Sequence, residues 1–455
     1  MYFFYSLSIS LLFLALLPYF IYNAIRHGKY SGSFRERMGW LPESIKASAQ
    51  PTIWIHTVSV GEFNAARPLI ERIEREMPGY RLVISTTTLS GQRLARSAFE
   101  RVFFFPFDWT FTVRRALAHV SPAAVIILET ELWPNFLREC RRRGVKTVVA
   151  NGRISPRSFA RYMRVRPFIS RALSDTSLLL MQADDDARRV RALGADGRRV
   201  RTCGNLKYDI EVPPAGEKGM AERLGSRRLI VAGSTAPGEE RIILEALRLV
   251  RADAAFEDVG LIIAPRHPER FEEVDRLLAQ TAFSYVRRSQ LASPDRAGGR
   301  GPVNIEFLIG SPNEPKRGPA GRAALTDIVL LDTIGELADV YRFADVVFVG
   351  GSLVPRGGHN IIEPAAFARP IIVGPHTENF RRIVSDFKGS SAIVQLGEAG
   401  AAGLAREFTR LLSDSRLAGE MGARARNILL ENQGATTCAV AAIREIMGRA
   451  TGENS

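Results

Sequence analysis

From residue 51 onward, short apolar runs alternate with stretches in which apolar and charged positions recur at helical spacing. PTIWIHTVSV reads as a strand and FNAARPLIERIEREM as an amphipathic helix. RLVISTTT is a second strand, SGQRLARSAF a helix, and AAVIILE, VKTVVANG and SLLLMQ are further strands. Runs this continuously apolar belong to strands covered on both faces, and strand–helix alternation predicts a parallel sheet. Around EVPPAGEKGMAERLGS the pattern gives way to Pro, Gly and charge, as in a linker. It restarts with RLIVAGST, GLIIAPRH, TDIVLLDT, DVVFVGGS and RPIIVGP, separated by helices near EERIILEALRLV, PERFEEVDRLLA and GELADVYRFA. The expected architecture is α/β, with two Rossmann-like doubly wound domains facing across a cleft. Such domains present strand ends and helix N-termini to ligands, one ligand per domain.

The expected boundaries are an N-terminal segment at 1–28, a first domain at 29–212, a linker at 213–228 and a second domain at 229–455. Residues 292–324, rich in Gly, Pro and Arg, interrupt the second domain as a surface insertion. A length of 455 residues, beyond what one core accommodates, agrees with this division.

The N-terminus departs from the pattern. No charge occurs from Tyr2 to Tyr22, and a helix of that length spans roughly 30 Å of bilayer. Arg26, His27, Lys29, Arg35 and Arg37 follow. The positive-inside rule then gives one N-terminal transmembrane helix, with the body of the protein on the cytoplasmic side. A cleaved signal peptide would carry its positive charge before the apolar core and a small-residue site after it, and neither is evident. SFRERMGWLP mixes bases with aromatic residues, which suits the headgroup layer.

The formal net charge is +14. An arginine-rich excess suits a phosphate-bearing partner or the anionic lipids of a membrane, although a basic solvated surface also accounts for it. No aromatic-interleaved basic motif or recognition fold points to nucleic acid. Cys140, Cys203 and Cys438 lie far apart without Cys-x-x-Cys spacing, so neither a disulfide framework nor a zinc site is expected and a reducing compartment fits.

Candidate chemistry gathers where strands hand over to helices. Glu62 opens the helix after HTVSVG, and reads equally as a partner of the helix dipole or as a general base. Glu129 and Glu131 follow the AAVIIL strand; two adjacent carboxylates raise one another's pKa or bind a cation, whereas a cap explains only one of them. Lys207, in GNLKYD, is either a solvated lysine or a neutraliser of phosphate or carboxylate. AGSTAPGEE is an anion site or a plain N-cap, and lacks the lysine of a P-loop. Arg266 and His267 follow a strand, where arginine pairs well with phosphate. Gly335, in DTIGEL, lies where backbone donors meet a helix start. In GGHNIIEP, glycines allow close approach, Asn360 offers donors and Glu363 can accept from vicinal hydroxyls, which favours a nucleotide.

These motifs together resemble the 3-deoxy-D-manno-octulosonic acid (Kdo) transferases of lipopolysaccharide synthesis over nearly the whole chain. The resemblance is carried by HTVSVGE, TTTLSG, PFDW, ETELWPN, NGRIS, GNLKYD, AGSTAPGEE, APRHPERF, DTIGEL, GGHNIIEP and GPHTENF. It implies a GT-B glycosyltransferase fold, with CMP-Kdo as donor and a tetraacylated lipid A precursor at the inner membrane as acceptor. It further implies inversion at the anomeric carbon, with neither a metal nor another cofactor. Glu62 would then be the proton acceptor, and Glu131 and Lys207 transition-state stabilisers. CMP would be held by Pro265, Arg266 and His267, by Thr333, Ile334, Gly335 and Glu336, and by Asn360, Ile361, Ile362 and Glu363. The alternatives are another GT-B enzyme that uses a UDP-sugar, or a membrane-tethered nucleotide-binding protein without turnover.

Overall fold

The computed structural model describes all residues except 28–30, 211–226, 292–325 and 453–455, and the side chains of all but these and 19–21, 23–27, 31–32 and 449–452. The stretch read as an insertion at 292–324 lies outside the described residues, as does nearly all of the linker read at 213–228. The chain forms two compact units. One comprises Met1–Asp209 with Asn432–Ser455, and the other Ile210–Glu431.

In the first unit, seven parallel strands are β1 (Thr52–Thr57), β2 (Arg81–Thr86), β3 (Val102–Phe104), β4 (Pro122–Leu128), β5 (Lys146–Gly152), β6 (Leu178–Met181) and β7 (Val200–Thr202). Their order is β3-β2-β1-β4-β5-β6-β7, so the chain reverses its direction of winding between β1 and β4. Alternate residues of β1 face opposite layers. Ile53 and Ile55 join the core that includes Phe63, Leu69 and Ile73 of the next helix, while Trp54 joins Phe103, Phe105 and Phe136 on the other face.

The second unit repeats the plan with β8 (Leu229–Thr235), β9 (Gly260–Pro265), β10 (Tyr285–Arg287), β11 (Ile328–Leu330), β12 (Val346–Val349), β13 (Ile371–Val373) and β14 (Ile393–Gln395). The order β10-β11-β9-β8-β12-β13-β14 places the reversal between β8 and β12. The strands absent from the sequence reading are β3, β7, β10 and β14, the edge strands of both sheets. Each is three residues long, and β7 and β10 include arginines, so none displays the long apolar run of a central strand.

Three findings depart from the sequence-based expectations. The carboxyl-terminal helix Ala435–Gly452 belongs to the first unit, where Ala439, Val440, Ile443 and Met447 pack into the core beside β1 and β5, so the second unit ends near 431 rather than 455. That return brings Cys438 to Cys203, just past β7, and the two form a disulfide across 235 residues of sequence, with Cα atoms 5.4 Å apart. Local spacing has no bearing on a pair that only the fold brings together.

The third concerns the amino-terminal helix Tyr2–His27. Among the described residues no helix is long and apolar enough to cross a membrane. One flank of this helix is bound to the first unit. Tyr5 Oη donates to Asp108 at 2.9 Å, Asn135 Nδ2 donates to Ser6 Oγ at 3.0 Å, and Phe13 meets Trp109 edge-on at 4.9 Å. The opposite flank, with Phe3 73% and Phe4 69% exposed and Leu7, Leu11 and Leu14 beside them, is open.

Candidate active site

Ligands of open α/β sheets bind beyond the strand carboxyl ends, at the point where winding reverses. In the first unit that point lies between β1 and β4, and the loops after these strands carry Glu62, Glu129 and Glu131. The Ser59 hydroxyl caps the helix Val60–Glu76 by accepting the Glu62 N–H at 3.4 Å. The Glu62 carboxylate turns back to accept from Val58 N–H at 2.7 Å and from Ser59 Oγ at 3.2 Å. Glu62 therefore does serve its helix terminus. Burial, reinforced by the negative charges of Glu129 and Glu131, nevertheless pushes its pKa up to about 7. Glu131 is raised as well, by burial first and then by Glu129. Glu129 adopts a left-handed backbone conformation with φ 57° at the end of β4. The neighbouring His56 is a core residue: it is fully buried, its ring stacks on Phe105 and Nδ1 lies 2.9 Å from Ser85 Oγ. Burial lowers its pKa to about 3, which leaves it neutral.

Lys207 lies on the 3-10 turn Leu206–Tyr208, which packs against the helix that Glu62 opens. Its backbone N–H is accepted by Asn205 Oδ1 at 3.1 Å. Glu62, Glu129, Glu131 and Lys207 thus all belong to the first unit, with Lys207 on a turn packed against the helix that Glu62 opens.

In the second unit the reversal lies between β8 and β12, and the expected nucleotide residues surround it. Pro265 closes β9, and Arg266 and His267 follow it into solvent. Arg266 acts electrostatically on His359, Glu363 and Tyr341, so the loops after β9 and β12 converge. His359 is lowered to about 4, by burial first and then electrostatically by Arg266 and His267. Asn360 Nδ2 donates to Glu363 at 3.1 Å, and Asn360 Oδ1 accepts the Ile362 N–H at 3.1 Å. Ile361 and Ile362 are buried and seat that turn in the core. After β11, Thr333 Oγ1 donates to Glu336 at 2.8 Å and Arg288 pairs with Glu336 at 3.0 Å; between them Ile334 is 81% exposed and Gly335 has φ 91°. An apolar side chain that open, beside a glycine turn, offers a platform for a flat ring.

The stretch Ala232–Glu240, read from the sequence as an anion site or a plain N-cap, holds an anion of its own. The buried Glu239 carboxylate accepts the N–H groups of Ala236, Gly351, Ser352 and Leu353 at 2.7, 2.7, 2.9 and 2.7 Å. An internal anion thus takes the Ala236 N–H of this stretch together with three N–H groups of the loop after β12. Next to it, Arg270 grips Glu240 through two nitrogens at 2.6 and 3.0 Å. Glu239 escapes a sequence reading because an acid in the first turn of a helix looks like an ordinary dipole partner. The signal that could have exposed it is the Gly350-Gly351 pair, which only a close approach requires: a Cβ on Gly350 would lie 2.8 Å from the Glu239 carboxylate.

The family described as 3-deoxy-D-manno-octulosonic-acid transferase (kdotransferase) matches residues 32–210. A 3-deoxy-D-manno-octulosonic acid transferase of Haemophilus influenzae is 31% identical over 425 residues, covering 90% of this chain and 91% of that protein. One from Bordetella pertussis is 32% identical over 366 residues, 77% of each chain. Among solved structures, the UDP-GlcNAc 2-epimerase of Neisseria meningitidis bound to UDP-GlcNAc matches with a TM-score of 0.52 at 10% identity, over 87% of this chain and all of that one. That last likeness concerns the fold alone, which is GT-B-like.

Proposed function

The chain belongs to the 3-deoxy-D-manno-octulosonic acid (Kdo) transferase family, and from that premise we propose that it transfers Kdo from CMP-Kdo to a tetraacylated lipid A precursor, with Glu62 as general base. The observation that carries the mechanistic reading is the Glu62 carboxylate, brought to a pKa of about 7 beside Glu129 and Glu131. A base poised near the working pH is half available and still basic enough to accept a proton. In this reading Glu62 removes the proton of a sugar hydroxyl. The oxygen attacks the anomeric carbon of Kdo, and the bond from that carbon to the phosphate oxygen breaks with its electron pair leaving on CMP. A single displacement inverts the anomeric configuration. The leaving phosphate needs neutralisation rather than a general acid, and Lys207 and Arg266 suit that role. Glu131 would stabilise positive charge that develops on the sugar ring.

The donor's nucleotide is assigned to the second unit: Pro265, Arg266 and His267 near the phosphate, Thr333 to Glu336 along the base, and Asn360 to Glu363 at the ribose. The acceptor is assigned to the first unit. The exposed apolar flank of the amino-terminal helix, with the surrounding arginines, is assigned to the inner membrane and its anionic lipids, the two domains being on the cytoplasmic side. Tethering of this kind concentrates the enzyme where a lipid acceptor is confined.

The test is CMP release by detergent-solubilised protein from freshly made CMP-Kdo, with and without the lipid acceptor. Acceptor-dependent release together with a heavier lipid by mass spectrometry is the expected result. Release that ignores the acceptor, or turnover of a UDP-sugar instead, would defeat the proposal.

A further inference from the structure

We propose that Asn151 is a positioning residue for Lys207, acting through the backbone of the turn that carries the lysine. This rests on the reading of Lys207 given above. Asn151 lies at the carboxyl end of β5, the neighbour of β4 in the sheet whose strands β1 and β4 lead into Glu62 and Glu131. Its backbone is left-handed, with φ 57°, inside a run that is otherwise extended. Asn151 Oδ1 accepts the Leu206 N–H at 3.1 Å, across 55 residues of sequence, with both residues buried. Its Nδ2 is buried without a partner among the described residues.

A left-handed conformation outside glycine and an unpaired buried amide are both unfavourable. The side-chain bond they accompany ties the Lys207 turn to the sheet. The turn is also held at its ends. Gly204 has φ 95°, Cys203 is bonded to Cys438, and Asp209 accepts the N–H groups of Gly434 and Thr436 at the start of the carboxyl-terminal helix. Those fastenings join the turn to a helix. The Cys203 N–H also donates to Met181 of β6 at 3.0 Å, at the entry to the turn; within the turn it is Asn151 that holds Leu206, the neighbour of Lys207, to the sheet that presents the two glutamates. Strained residues of this kind gather where geometry must be held for chemistry.

Substitution Asn151→Gly separates this from a general stabilising role, because glycine adopts the left-handed backbone at no steric cost and only the side chain is lost. For the full-length protein we expect kcat to fall about 10-fold, with KM for CMP-Kdo unchanged within about 2-fold. Asn151→Asp retains an acceptor oxygen and should recover kcat to within about 3-fold of wild type. Adding Asn151→Gly to Lys207→Ala should cost nothing further, since both changes remove one function. Wild-type kcat in Asn151→Gly, or full additivity with an impaired Lys207→Ala, overturns the inference alone. Wild-type turnover in Lys207→Ala overturns the reading beneath it and the inference together.

Discussion

The carboxylate of Glu239 accepts the backbone N–H of Gly351 at 2.7 Å, across 112 residues of sequence, and so fastens the loop after β8 to the loop after β12. It makes the same bond to Ser352 and Leu353. From that turn Gly351 packs on the His359 ring, where an added Cβ would lie 2.7 Å from Nε2, and its carbonyl accepts the Gly358 N–H at 2.7 Å. Asn360 to Glu363, proposed above for the nucleotide, follow soon after in the chain. An internal carboxylate thus shapes the loop that leads into the residues proposed to receive the ribose.

Replacing Glu239 with Ala strands several buried N–H groups at once. Each carries a desolvation penalty of about 1–3 kcal/mol, so a loss of roughly 3 kcal/mol or more is expected. Glu239→Gln should fall between Ala and wild type, because its single carbonyl oxygen serves fewer donors and its amide nitrogen opposes the rest. CMP-Kdo affinity should weaken in the same order. Calorimetric melting and titration of the donor check this; an unchanged melting temperature in Glu239→Ala would remove the internal-anion argument.

The pKa of Glu62 makes two predictions with opposite signs. Activity, expressed as kcat/KM, should rise with pH through about 7 as the base loses its proton. Stability should run the other way. A carboxyl raised above its unfolded value holds its proton better in the folded protein, so folding is progressively penalised between about pH 4.5 and pH 7, and the full penalty stands above 7. Glu62→Gln, which keeps an oxygen for Val58 N–H, removes that penalty. It should melt higher than wild type at pH 8 and equally at pH 4, while turnover falls on the order of 100-fold or more. A variant that melts lower at pH 8 would show that the cap outweighs the buried charge.

How far the sequence discloses this molecule follows from burial. Strands such as β4 and β12 are covered on both faces and appear as unbroken apolar runs, so the two sheets and the strand ends that carry Glu62, Glu131, Arg266 and Asn360 were legible. The edge strands were not, since each is only three residues long and two of them, β7 and β10, include an arginine. The carboxyl-terminal helix follows the second domain in sequence, and its apolar positions, Ala439, Ala442 and Ile443, do not say which core they enter. Only the fold shows which core it enters, and the Cys203–Cys438 bond was hidden for the same reason. Glu239 and Asn151 were missed because their partners are backbone N–H groups, which leave no trace in side-chain identity.

Arg270 and Glu240 form a pair in which the arginine side chain is 9% exposed and the glutamate 1%. Thr235 Oγ1 adds a third bond to the same carboxylate at 2.6 Å. Arg270→Ala leaves a buried carboxylate with one hydroxyl and should destabilise the second unit by about 3–5 kcal/mol. The double variant Arg270→Met, Glu240→Leu should lose much less, because neither charge then remains buried alone. Urea unfolding followed on the second unit decides: equal losses in the single and double variants would mean that the pair's value lies in its own attraction rather than in avoiding an orphaned charge.

The Cys203–Cys438 disulfide ties the start of the carboxyl-terminal helix to the turn before Lys207, and Cys140 remains a buried thiol. Protein unfolded without reductant should therefore take up one alkyl group, and reduced protein three. In the chain-entropy account a cross-link over so long a loop stabilises by up to about 5 kcal/mol. Reduced protein and a Cys203→Ser, Cys438→Ser variant should accordingly melt below the oxidised form. Because Asp209 still caps the helix at Gly434 and Thr436, the helix should stay docked and kcat should change less than stability does. Uptake of three groups without reductant would show that the two thiols stand together in the fold unbonded. A kcat that collapses on reduction while the melting temperature holds would instead make the disulfide, rather than Asp209 and Asn151, the fastening on which Lys207 depends.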